Sequence, residues 1–178
     1  RRYPGATILY DVRSGRIVPE VIAAAGGQAV MTRVGHAFIK QKMRETGAVL
    51  AGEFSSHFYF KDFFGVECSD AVFLLIAEIL TREKKPLSAL IEPLRQYSHS
   101  GEINFEVKDK AAAIRAVEER YIKEAVGVWR EDGVRLDFKD WWVSVRASNT
   151  EPLLRLVVEA ASPELMVAKR EEIAALFT

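Results

Sequence analysis

The chain has 178 residues, 49% of them hydrophobic and 28% charged, enough for one large domain or two small ones with a real core. Its 25 Lys and Arg balance 25 Asp and Glu, so no field of one sign points to nucleic acid or to an anionic membrane surface. The single Cys68 excludes an internal disulfide and fits a reducing, cytoplasmic setting, and no apolar run reaches the ~18 residues of a bilayer span.

The opening RRYPGATILYDV lacks a signal-peptide apolar core and leads almost directly into a strand at residues 6–12, as though a longer chain had been cut. A helix over 16–25 stops at Gly26-Gly27, and a strand follows at 29–32. A second helix over 36–46 is capped by Gly47 and followed by a strand at 48–51. This alternation predicts an α/β sheet with at least one parallel crossover. A strand at 57–60 comes next, then a long apolar helix at 71–81, with Cys68 expected as a small core residue at its start. A further helix over 86–95 has an amphipathic pattern that predicts packing on the sheet.

The polar stretch QYSHSG at 96–101 reads as a linker, with His99 lacking a visible partner, and divides the chain into domains at 1–97 and 98–178. The second domain reads as a strand at 103–107, a helix at 110–125, a hairpin turning at Glu131-Asp132-Gly133, strands at 141–145 and 153–158, and a closing helix at 163–177. The expected fold is a mixed-sheet α/β domain followed by a small α+β domain, strand-helix-three-strand-helix, with an antiparallel sheet. Trp129, Trp141 and Trp142 read as core and strand-face residues, since the basic interleaving of a nucleic-acid groove is missing.

Two polar loops concentrate chemistry. In the first, Gly52 to His57, Glu53 offers two acceptor oxygens, Ser55 can donate or accept, and His57 can carry a proton near neutral pH. Arg13, just after the first strand, and His36, opening a helix after the second, fall on the same sheet edge if the crossovers are regular. Each also has an ordinary structural explanation: an ion pair of Arg13 with Asp11, a helix cap for His36, a solvated turn for the Glu-Ser-His loop. In the second loop, Arg146, Ser148, Asn149 and Thr150 gather an always charged fork, two hydroxyls and an amide, a set suited to phosphate or to an ordinary polar hairpin turn.

In this order the loops GEFSSH and RASNTEP resemble those of the phosphohexomutase family, the phosphomannomutase/phosphoglucomutase enzymes. DVRSG, GHAFIKQKMRETGA and GVRLDFKDWWVSVRASNTEP extend the likeness over nearly the whole chain. The resemblance implies most of the third and all of the fourth of four domains. Glu53 and Ser55 would then bind sugar hydroxyls, with His57 beside the reacting phosphosugar and Arg13 and His36 lining the same cleft. Arg146, Ser148, Asn149 and Thr150 would hold the phosphate that is not transferred. The family moves a phosphoryl group between the 1- and 6-hydroxyls of a hexose through a bisphosphate.

The family's phosphoserine loop and aspartate-rich Mg2+ loop have no match here, so the resemblance implies a fragment that is inactive alone and completed by missing N-terminal domains. A free-standing sugar-phosphate binding module is the competing reading. Where the family usually has glycine this chain has Ser56, and a positive φ there would strain the loop by ~1 kcal/mol.

Overall fold

In a computed structural model that describes residues 3–148 and 150–177, the chain forms two compact units, Arg1–Gln96 and Tyr97–Thr178. The first unit begins with β1 (Thr7–Asp11), α1 (Ile17–Ala24), β2 (Gln28–Thr32), α2 (His36–Thr46) and β3 (Leu50–Gly52). Two short strands follow, β4 (Phe58–Phe60) and β5 (Val66–Glu67). The sheet order is β2-β1-β3-β4-β5, with β1 parallel to both neighbours and the pairs from β3 outward antiparallel. Helix α2 starts after Gly35 and ends where Gly47, at φ 68, returns its N–H to the Met43 carbonyl. Ile39 and Met43, one helical turn apart, pack with Leu9, Ala51 and Tyr59 from adjacent strands to form this unit's core.

The rest of the unit departs from the expected packing. Neither α3 (Ser69–Glu83) nor α4 (Leu87–Ile91) contains a buried residue, and Phe73 and Leu74 are 71% and 65% exposed. Cys68 sits half-buried just before α3 and does not join the core. The helix expected over 86–95 is divided: Pro93, which has no N–H to give, lies in a 3-10 turn at Glu92–Leu94.

The second unit contains β6 (Ser98–His99), β7 (Ile103–Phe105), α5 (Lys110–Tyr121), β8 (Gly127–Trp129), β9 (Val134–Asp137), β10 (Trp141–Ala147), β11 (Leu154–Ala160) and α6 (Pro163–Ala174). Four strands, where three were expected, separate α5 from α6. All pairings are antiparallel, in the order β6-β11-β10-β9-β8, and β7 also pairs with β11. His99 is therefore a strand residue of this sheet; its Nδ1 accepts from the Gly101 N–H at 2.9 Å and its ring meets that of Trp142 edge-on. The Asp109 carboxylate and the Ser162 hydroxyl cap the N-termini of α5 and α6.

Strand alternation gives β10 two different buried faces. Trp141, Val143 and Val145 join Val117, Tyr121 and Ile173 in an apolar core, where Phe138 stacks on Trp141 at 4.0 Å. Trp142, Ser144 and Arg146, on the opposite face, are also buried. There the Arg135 guanidinium lies 3.8 Å over the Trp142 ring, and the indole N–H donates to Glu159 at 2.7 Å.

The hairpin turn between β8 and β9 is pinned by Gly133 at φ 70, where an added Cβ would lie 2.7 Å from Arg146 Cα and 2.8 Å from its Cβ, and closer still to the Val145 carbonyl. Gly133→Ala should destabilise the second unit by about 2 to 4 kcal/mol. All three tryptophans belong to this unit, so their fluorescence during urea unfolding follows it. An unchanged midpoint would contradict the close approach.

Candidate functional site

From β1 the chain crosses first to β2 on one side and then to β3 on the other, so the connections diverge at the C-terminal ends of these parallel strands. Open α/β sheets place ligands at such a switch point. The segments leaving the three strands carry Arg13, Gly35-His36 and Glu53.

Asp11 organises this edge. Its side chain is fully buried; Oδ1 accepts from the Arg13 N–H at 2.9 Å and the Ser14 hydroxyl at 3.4 Å. Oδ2 accepts from Arg13 Nε and the Phe54 N–H, each at 3.0 Å, and from Arg13 Nη2 at 2.5 Å. Arg13 is thus both the partner of Asp11 and a member of the cluster: its Nη2 reaches the Ser55 hydroxyl at 3.5 Å and lies 3.9 Å from Glu53 Oε1.

Glu53 is held from two further directions. The Tyr59 hydroxyl donates to Oε2 at 2.8 Å, and the Gly35 N–H, at the start of α2, donates to Oε1 at 3.2 Å. Burial, then the bond to Glu53, pushes the Tyr59 phenol above its usual range, so it remains an O–H donor. A carboxylate has roughly four lone-pair sites, so Glu53 keeps about two for further donors. Its side chain is 7% exposed, and with Phe54 it borders a mainly apolar cavity of about 410 Å³.

The rest of the loop closes a hairpin. Glu53 N–H donates to the His57 carbonyl at 2.9 Å, Ser56 N–H donates to the Glu53 carbonyl at 3.0 Å, and Ser56 sits at φ 66. Ser55 Oγ and His57 Nδ1 are 3.0 Å apart, and His57 Nε2 is 3.9 Å from Glu67. His36 is exposed in the first turn of α2, next to the glycine that binds Glu53. The cap position belongs to Gly35, so His36 is not the helix cap. Five candidate residues of this unit are thus connected, four by side-chain contacts and His36 through its neighbour.

In the second unit the outward-facing loop expected at Arg146 differs in one respect: Arg146 lies in β10 and its side chain is only 2% exposed. Its Nη2 is 3.6 Å from Glu102 and its Nη1 3.8 Å from Asp132. The following turn is polar and closed by a Ser148 N–H donation to the Leu153 carbonyl at 2.9 Å. Ser148 Oγ accepts from the Thr150 and Glu151 N–H groups at 3.4 and 3.2 Å, which leaves its own hydrogen to donate elsewhere. Thr150 is exposed, and Asn149 lies outside the described residues.

Sequence reading passed over Tyr59 and Glu102 and gave Asp132 only as a turn residue, yet all three position the candidate side chains. Only Tyr59 left a signal, a single hydroxyl inside the apolar run Phe58 to Phe60.

Residues 1–97 match the profile described as phosphoglucomutase/phosphomannomutase, alpha/beta/alpha domain III, and residues 102–176 match that family's C-terminal domain. Phosphomannomutase from Methanocaldococcus jannaschii is 43% identical over 168 residues, 94% of this chain and 37% of that protein. The Salmonella typhimurium phosphomannomutase is 40% identical over 177 residues, 98% of this chain and 39% of that protein. The chain therefore spans less than two fifths of these curated relatives. A phosphoglucomutase/phosphomannomutase family protein from Burkholderia thailandensis, solved by X-ray crystallography, matches with a TM-score of 0.85 at 34% identity, over 98% of this chain and 38% of that one.

Ser56 occupies a left-handed conformation that an L side chain adopts only at a cost. Ser56→Gly should therefore raise stability by about 0.5 to 1 kcal/mol, seen as a higher Tm of the first unit. A lower Tm would mean that the serine side chain contributes more than its backbone strain costs.

Proposed function

This chain belongs to the phosphoglucomutase/phosphomannomutase family, and on that premise we propose that it is the substrate-binding C-terminal portion of a cytoplasmic phosphohexomutase. The full-length enzyme interconverts hexose 1-phosphate and hexose 6-phosphate through a bisphosphate intermediate, and these residues alone do not turn substrate over. The observation that supports this best is Glu53, a buried carboxylate fixed at a sheet switch point by Tyr59 and Gly35 with acceptor capacity to spare.

In this reading Glu53 accepts hydrogen bonds from sugar hydroxyls, and Ser55 adds a hydroxyl that donates or accepts. Fixing the carboxylate before the ligand arrives means that little rotamer freedom is lost on binding. His57 lies beside the reacting phosphosugar, and Arg13 and His36 line the same cleft. In the second unit Arg146 supplies the charge for a phosphate that stays in place, and Ser148 donates the hydrogen that its backbone contacts leave over. Asn149 and Thr150 complete the proposed phosphate group.

Among the described residues no group of three or more His, Cys, Asp or Glu side chains is placed to hold a metal ion. The proposal leaves Mg2+ and the phosphoserine nucleophile to the N-terminal domains of the full-length protein.

Arg146→Ala should weaken binding of glucose 1-phosphate to the chain by about 1.5 to 3 kcal/mol, measured by calorimetric titration on a variant whose circular dichroism shows it folded. An unchanged titration would remove Arg146 from the phosphate group. Glu53→Gln should blur discrimination between glucose and mannose 1-phosphates while inorganic phosphate binds as before. Equal losses for all three ligands would contradict the division between sugar and phosphate readers. Measurable mutase activity of the isolated chain would overturn its assignment as a binding portion.

A further inference from the structure

We infer that Glu102 occupies Arg146 in the ligand-free protein as an internal substitute for phosphate, and that phosphate binding displaces it. The inference rests on the assignment of Arg146 to the phosphate group.

Cross-strand register places Arg155 directly opposite Arg146. Two like charges so placed repel each other unless an anion lies between them. Glu102 supplies that anion, with Oε1 3.0 Å from Arg155 Nη1 and Oε2 3.6 Å from Arg146 Nη2. One carboxylate thus spans two guanidinium groups. Asp132, 3.8 Å from Arg146, and Glu151, 2.5 Å from Arg155, add two further carboxylates. Among these described side chains two cations face three carboxylates, so the set carries no net positive charge. A phosphate dianion added to that set would meet repulsion at close range unless one carboxylate withdraws.

The two carboxylates beside Arg146 differ in their freedom to move. Asp132 is 6% exposed and precedes Gly133, whose backbone crowds β10. Glu102 is 18% exposed, has one more rotatable bond, and follows Gly101 at φ 71 ahead of the three-residue strand β7. Glu102 lies outside the β10–β11 ladder, so a rotation of its side chain needs no change in that pairing. Its departure restores the charge that makes Arg146 an anion receptor and uncovers a guanidinium that is otherwise only 2% exposed.

The test is titration of the 178-residue chain with inorganic phosphate. Removing the internal competitor by Glu102→Gln should tighten phosphate binding about three- to tenfold, the scale of one partly buried ion pair. A residue that merely positioned Arg146 would give the opposite sign. Unchanged or weaker binding in Glu102→Gln, with Arg146→Ala still abolishing it, overturns the inference and spares the assignment of Arg146. No effect of Arg146→Ala removes the assignment itself. In the unmodified chain carrying carboxyl-labelled glutamate, the Glu102 carbon resonance should move in step with phosphate saturation. A resonance that stays fixed while phosphate binds also overturns the inference, independently of how the variant folds.

Discussion

Asp11 has no solvent contact, and its two oxygens receive two backbone N–H groups, a serine hydroxyl and two nitrogens of one arginine. A buried carboxylate is tolerable only when its lone pairs are taken up in this way. Because the Phe54 N–H is among the donors, the same anion that fixes Arg13 after β1 also fixes the loop after β3. Glu53 repeats the device one step further out, taking Gly35 from the connection between β2 and α2. The switch-point edge is thus a chain of anions and donors in which each loop is located by a group from another. Candidate residues spread over some forty-five positions of sequence share one geometry for that reason.

The second unit solves a different problem on a wholly antiparallel sheet. One face of β10 is apolar and its packing is set by volume, with Trp141, Phe138 and Tyr121 interlocking. The other face buries arginines, and electrostatic pairing replaces volume as the constraint: Arg135 with Asp137 and the Trp142 ring, Arg146 with Glu102 and Asp132. Burying such groups contributes little net stability and leaves a strong preference for one arrangement of charges. In the proposed function that structural face also serves as an anion site.

Local patterns made much of this legible. Helix α2 has the limits its flanking glycines and its Ile39–Met43 spacing predict, and the two long strands of the second sheet follow from their apolar runs. The two-residue strands β5 and β6 carry no alternation to read, so from sequence His99 reads as a linker residue. Helix α3 is apolar around much of its circumference, and such a pattern says that a helix forms without saying which side it buries. At the site, the polar side chains were visible as a set, but their supports were not. Arg146 read as a loop cation because its neutralising partners, Glu102 and Asp132, come from distant segments. Tyr59 read as one more strand aromatic because its hydroxyl acquires meaning only from the hairpin that brings Glu53 over it.

Gly133 contributes no polar side chain and touches no proposed ligand, yet the backbone of Arg146 passes where its side chain would be. The turn and the strand therefore cannot vary independently. Any relative that keeps a guanidinium in this place has to keep an empty position thirteen residues earlier in register with it, or rebuild the hairpin around a different path. Selection on the proposed anion site would thus be recorded at a residue with no chemistry of its own. Its invariance among proteins would signal that the arginine is still in use.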